Sequence, residues 1–209
     1  MLTSQLWSPG RFRCLAEEIA WPPSGEPIIV RVLASLTARI MPSLPNTPSM
    51  NPPSFETNLP MSLLGSSLLV RANEGRTLHA FGHAVVVLLD GKQTGEKFTA
   101  FLNISPPGCG PGPHYHERED EWFYIVEGQV SFLMNGTWTD VFPGDCIYSP
   151  RGSVHAFKNK TDKPIRVFMN IAPAGFERFF AEVAEEWAQP EPDVSRITAI
   201  SEKYGIHSA

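Results

Sequence analysis

Two histidines, His114 and His116, stand two residues apart, and a third, His155, lies far downstream of them. That spacing constrains the fold more than any other feature of the chain. Side chains alternate along a strand, so His114 and His116 face the same side. Glu121 follows five residues after His116. Only a sheet that turns back on itself can bring His155 to the other three. Three imidazoles and one carboxylate form a mixed nitrogen and oxygen donor set suited to one divalent transition metal, whether Fe, Mn, Ni, Cu or Zn. Four protein ligands leave room for water, substrate or dioxygen on a five- or six-coordinate ion. A tetrahedral ion would be filled by them and purely structural.

Around this group the sequence runs in short segments broken by turn residues. WFYIV at 122–126, QVSFLM at 129–134 and TWTDVF at 137–142 read as strands. The last two are joined through Asn135-Gly136, a strong hairpin signal because both residues accept positive φ. Pro143-Gly144-Asp145 makes the next tight turn, and IYSP, VHAFKN and IRVFMNIA supply more strands. Upstream, AFGHAVVVLLDG at 80–91 reads as a strand closed by an Asp90-Gly91 turn. Phe98, Ala100, Leu102 and Ile104 then alternate with Lys97, Thr99, Phe101 and Asn103, which predicts a strand with one buried face. Such a pattern is all-β, either a barrel or a sandwich.

The period changes after residue 173. Phe176, Phe179, Phe180, Val183, Ala184 and Trp187 fall on one helical stripe. A second helix is expected from Asp193 as N-cap through Val194, Ile197 and Ile200 to Tyr204, with Gly205 ending it. Both are expected to pack as a lid on the outside of the barrel.

Residues 1–60 are of another kind. Six prolines fall between Pro42 and Pro60, with Ser, Asn and Thr between them, which sustains neither helix nor paired strand. The segment is expected to be a disordered leader or sequence upstream of the true start, with Met41, Met50 or Met61 as initiator. The domain reading is therefore a leader at 1–60, a β-barrel at 61–173 and a helical extension at 174–209. A net charge of −5 without a basic stripe argues against a nucleic-acid partner. The apolar run at 28–41 is interrupted by Arg31 and Arg39, so no membrane span is expected. Cys14, Cys109 and Cys146 are too few and scattered for a disulfide framework, which predicts reduced thiols and a cytoplasmic protein.

The residues around the histidines also carry a family resemblance. Gly108, His114, His116, Glu121 and Gly128 fill the pattern G-x5-H-x-H-x4-E-x6-G, and Gly144, Pro150, Gly152, His155 and Asn159 fill G-x5-P-x-G-x2-H-x3-N. Both patterns are those of cupins. The chain resembles the small, quercetin-dioxygenase-like branch of that superfamily, loosely from Thr77 to Ile206, with APAGFERFFAE at 172–182 similar to its tail. The resemblance implies a double-stranded β-helix, or jelly-roll barrel, with one or two C-terminal α-helices. It also implies a homodimer, with LLGSSLLVRAN at 63–73 as an extended arm. For the metal it implies His114, His116, Glu121 and His155 as ligands.

Glu121 then has two readings, as fourth ligand or as the base that deprotonates a bound substrate hydroxyl. Glu117, Glu119 and Asp120 read as a solvated acidic turn. Tyr115 should point away from the two histidines, while Tyr124, Phe132, Met134, Phe157, Phe168 and Met169 are candidates to line the barrel. Cys146 reads as a buried, inert thiol and Cys109 as the more reactive one; His79, His83 and His207 are assigned no role. Three functions fit this pattern. One is a dioxygenase acting on an oxygenated aromatic or diketone-like small molecule. The second is a metal isomerase, lyase or decarboxylase, and the third a small-molecule-binding module with a structural metal.

Overall fold

Short strands and tight turns organise the chain from Arg76 onward. This computed structural model describes residues 66–71 and 74–209. The expected leader at 1–60 lies outside the described residues, as do 63–65 and 72–73 of the arm; residues 66–71 carry no regular secondary structure.

In chain order the elements begin with β1 (Arg76–Ala80), β2 (His83–Leu89), α1 (Gly91–Thr94), β3 (Thr99–Ser105), β4 (His114–His116) and β5 (Asp120–Glu127). There follow β6 (Val130–Met134), β7 (Thr137–Val141), β8 (Cys146–Ser149), β9 (Ala156–Lys158) and β10 (Ile165–Ala172). Helices α2 (Phe176–Trp187) and α3 (Val194–Lys203) and a short β11 (Ile206–Ser208) complete the set. One antiparallel sheet has the order β1-β2-β3-β10-β5-β8, a second β7-β6-β9, and β11 pairs with β4. This is the all-β double-stranded β-helix with C-terminal helices that the resemblance implied.

The hairpin between β6 and β7 turns where expected, with Asn135 at φ 51 and Gly136 at φ 75. Between the sheets lie Phe101, Phe123, Ile125, Phe132, Val167 and Ile171, all essentially inaccessible. Each contributes on the order of 1.5–3 kcal/mol by leaving water.

Two local expectations are refined. The Asp90-Gly91 turn opens a helical turn between the antiparallel β2 and β3: Asp90 caps α1, accepting from the Gln93 amide at 2.9 Å while Gln93 Oε1 accepts from the Asp90 amide at 2.9 Å. A reciprocal cap stabilises one helical turn where a bare Asp-Gly would allow a two-residue turn. On β3 the period of two holds, but both faces are buried rather than one. Phe101 and Asn103 face the barrel interior, and Ile104 joins Ala84 and Val86 in a separate apolar cluster flanked by Leu88 and Leu102. Alternation alone cannot tell which set points inward, because the two sets are equivalent by spacing.

The helical stripe of α2 buries Phe176, Phe179, Phe180 and Val183. Asp193 caps α3 as expected, accepting from the Ser195 amide at 2.8 Å. The helices do not lie on the outside of the barrel. Phe176, Phe179 and Phe180 from α2, with Thr198 and Ser201 from α3, line the same cavity as the histidines. Large aromatic side chains find more apolar surface at an open barrel end than on a strand's polar outer face.

Candidate metal centre

Backbone pairing explains why residues so distant in sequence meet. His114 and His155 exchange both main-chain hydrogen bonds, at 3.0 and 2.9 Å, as an isolated antiparallel bridge. The Gly152 amide donates to the His116 carbonyl at 2.7 Å. One turn further out, Gly108 and Asn159 close the same seam: the Gly108 amide donates to the Asn159 carbonyl at 2.9 Å, and the Asn159 amide to the Cys109 carbonyl at 2.8 Å. The Asn159 side chain ties this corner to Ser105 and Lys163. Glu121 enters from β5, held between Ser149 of β8 and Ile171 of β10.

The result is a tight cluster. One ligand atom from each of His114, His116, Glu121 and His155 lies within 4.8 Å of every other. His114 Nδ1 approaches the Gly112 carbonyl at 2.8 Å and His155 Nδ1 the Ser153 carbonyl at 3.0 Å. A carbonyl only accepts, so each Nδ1 carries the proton and each Nε2 presents a lone pair. His116 Nδ1 is directed at Glu119 Oε2, 3.4 Å away.

His116 Nε2, His155 Nε2 and Glu121 Oε2 are buried and face no partner but one another. Buried polar atoms are costly unless satisfied, so three of them facing one another mark a place for a cation. His155 Nε2 and Glu121 Oε2 stand 2.6 Å apart. In the deprotonated forms that metal binding requires, that approach sets lone pair against lone pair, and only a shared cation relieves it.

The electrostatics agree. Burial pushes the Glu121 carboxyl upward, but His116, His155 and His114 outweigh it and hold its pKa at about 2. Burial, reinforced by His155 and His116, lowers His114 to about 3. Burial also acts to lower His155, but its bond to Glu121 prevails and the pKa is raised. A proton on His155 and a metal ion at the centre compete for the same position. The four residues could therefore hold an ion, with neutral His114 and ionised Glu121 already in the forms that bind metal.

Glu119 is not a solvated turn residue. It is 8% exposed and sits behind His116, where a carboxylate orients a metal-ligating ring. The three-residue step from His116 is the only trace of this in the sequence. Asp120 does face solvent, receiving both the Arg151 backbone and guanidinium, which pins the Glu121 strand to the loop before His155. His207 meets Glu117 at 2.8 Å and stacks with Tyr115, and both line the cavity that holds the ligand cluster.

The cavity above the cluster measures about 360 Å³. Phe157 and Met169 line it; Phe132 and Met134 belong to the core, whereas Tyr124 is exposed and Phe168 alternates outward with it across β5 and β10. The cysteine expectations are corrected as well. Cys109 is buried and disulfide-bonded, and Cys146 is a free, exposed thiol on β8. A glycine-rich loop brings Cys109 inward, while the outward alternation of β8 exposes Cys146.

Comparison with known proteins agrees with this geometry. The family described as "Cupin domain" matches residues 101–171, which include all four clustered residues. This barrel is a cupin domain. Among curated cupin relatives, quercetin 2,3-dioxygenase of Bacillus subtilis is 29% identical over 96 residues, covering 46% of this chain and 28% of that protein. The tetracenomycin polyketide synthase protein TcmJ of Streptomyces glaucescens is 30% identical over 97 residues, covering 46% of this chain and 64% of that protein. The chain thus spans between about a quarter and two thirds of the length of these two relatives. Of solved structures, KdgF from Halomonas sp. aligns with 54% of this chain and 99% of its own, at 18% identity and a TM-score of 0.48. No helix among the described residues is long and apolar enough to cross a membrane.

Proposed function

We propose that this cupin is a metal-dependent dioxygenase acting on an oxygenated aromatic, flavonol-like molecule or on a diketone-like one. The observation that carries the reading is a polar cluster of three imidazoles and a carboxylate in a cavity whose apolar wall includes Phe123, Phe157 and Met169. His114, His116, His155 and Glu121 would hold a divalent transition metal, which when bound supplies a Lewis acid and an electron path to dioxygen. Glu121 is an ionised carboxylate beside the site and suits deprotonation of an acidic enol or phenol. Its carboxylate would take the hydroxyl proton, while His155 Nε2 stays on the ion. The aromatic walls hold a flat substrate and keep bulk water from the reacting carbon.

A second reading has its own support. The polyketide synthase protein TcmJ is matched over a larger share of its length than the dioxygenase is. The same site would then use its ion without redox chemistry, as an isomerase, lyase or decarboxylase does.

Dioxygen uptake separates the two. The chain loaded in turn with iron, manganese, nickel, copper or zinc is offered a flavonol and an enolisable diketone in an oxygen electrode. The proposal expects uptake with at least one redox-active ion and none with zinc. Turnover by the zinc form without oxygen uptake would favour the second reading.

A further inference from the structure

The cavity has a second polar element, away from the ligand cluster and outside the residues matched by either histidine motif. His83 of β2 is 4% exposed, lines the cavity, and packs edge-on to Phe157 with ring centroids 6.1 Å apart. Its Nδ1 lies 2.6 Å from Ser105 Oγ, and Ser105 Oγ donates to Asn103 Oδ1 at 2.8 Å. Ser105 is wholly buried and Asn103 nearly so.

The direction of this chain fixes the imidazole. An amide oxygen only accepts, so the single Ser105 hydroxyl proton is committed to Asn103. Ser105 Oγ must then accept from His83, which places the proton on Nδ1. Burial lowers the His83 pKa to about 4, with the Asn103 side chain opposing, so the ring is neutral at physiological pH. A neutral ring protonated at Nδ1 has a bare lone pair at Nε2. The ring's one hydrogen bond within 3.5 Å among the described residues is that of Nδ1 to Ser105.

We infer that His83 Nε2 is a hydrogen-bond acceptor for the end of the substrate remote from the metal cluster. The cavity would select a molecule with chelating oxygens at one end and a hydroxyl donor at the other. Ser105 and Asn103 are positioning residues that set the tautomer. The inference deepens the proposed function and rests on its metal-centred reading of the cavity for the identity of the near end. A buried acceptor discriminates well, because a ligand lacking the donor leaves it unsatisfied.

Two measurements on the full chain test it. Long-range proton–nitrogen correlation, assigned by the signal lost in His83→Phe, reads the tautomer without any substrate. The inference expects the proton on Nδ1, and a proton on Nε2 overturns it. The zinc-loaded chain is then titrated with 3-hydroxyflavone and with 3,4′-dihydroxyflavone, which share the chelating end and differ in one remote hydroxyl. Wild type should prefer the dihydroxy compound by about tenfold. His83→Phe and Ser105→Ala should erase that preference, with 3-hydroxyflavone bound at least as tightly as by wild type. A preference that persists in His83→Phe, or that wild type never shows, overturns the inference. Should wild type bind neither flavonol, the flavonol reading of the function fails, and the tautomer alone decides the role of His83.

Discussion

The two polar regions of the cavity are made in different ways. At the ligand cluster, geometry is set by main chain: His114 and His155 are locked face to face by their own amides and carbonyls, and their rings are aimed by the carbonyls of Gly112 and Ser153. At His83 the geometry is set by side chains alone, through Ser105 to Asn103. A main-chain lock tolerates change in neighbouring side chains, which suits a fixed ion. A side-chain relay is reset by single substitutions, which suits a wall that adapts to a substrate. On the proposed function, the first region would carry the chemistry and the second the selectivity.

Removing an imidazole should produce the largest effect. His114→Ala, His116→Ala or His155→Ala should each lose most bound metal, together with the ~3–4 kcal/mol that a saturating ion lends the folded state. Glu121→Ala should keep part of its metal, because three imidazoles remain. Metal analysis and thermal melting, run on the same samples, check both. Full occupancy in His155→Ala would separate the two motifs.

The main-chain lock can be broken without touching a ligand. A Cβ at Gly110 would collide with the Phe157 carbonyl and lie 2.8 Å from Lys158 Cα, so the β9 seam beside His155 must shift. Gly110→Ala should cost about 3 kcal/mol or more in denaturant unfolding and weaken metal binding. A variant of wild-type stability and affinity would show that the seam does not hold the ligands in place.

The His83 region should instead reveal itself through pH. Its imidazole stays neutral in the fold down to about 4, while the unfolded chain takes up a proton below 6.5. Stability is therefore lost as pH falls between those values, by about 3 kcal/mol from this group. Unfolding of His83→Phe should depend less steeply on pH across that interval, and an unchanged slope would contradict the burial of a neutral ring.

Glu177, at the start of α2, should give the smallest effect. It accepts from Thr99 Oγ1 at 2.6 Å and from the Gly175 and Gly91 amides at 3.0 and 3.3 Å. Burial raises its pKa, but these donors prevail and lower it below the ordinary 4.5. Its contribution is present above 4.5 and fades as pH falls through the depressed value. Glu177→Gln should cost about 1 kcal/mol near neutrality, and the two chains should converge in acid.

The contrast also explains what could be read from sequence. A site locked by main chain needs its residues at fixed spacings and glycines at fixed turns, so His114, His116, Glu121 and His155 were visible as a pattern. The Asn135-Gly136 hairpin and the Asp193 cap were visible for the same reason, since backbone conformation selects the residue. Asn103 and Ser105 were not visible as an inward pair, because alternation on β3 gives no sign of which set faces in. Glu119 resembled its acidic neighbours until the turn between β4 and β5 buried it. β11 is too short to carry a periodic signal, yet it pairs Ile206 with His116 and Ser208 with His114, supporting the ligand strand along its other edge.

The central claim is that one ion is held by three imidazoles and one carboxylate. X-ray absorption at the metal edge of the full chain, with the metal it carries on purification, tests this directly. The account predicts stoichiometric metal, three imidazole nitrogens and at least one carboxylate oxygen in its first shell, and the loss of one imidazole in any metal-loaded His155→Ala chain. Sulfur in the first shell, fewer than three imidazoles, or a spectrum unchanged by His155→Ala would contradict it.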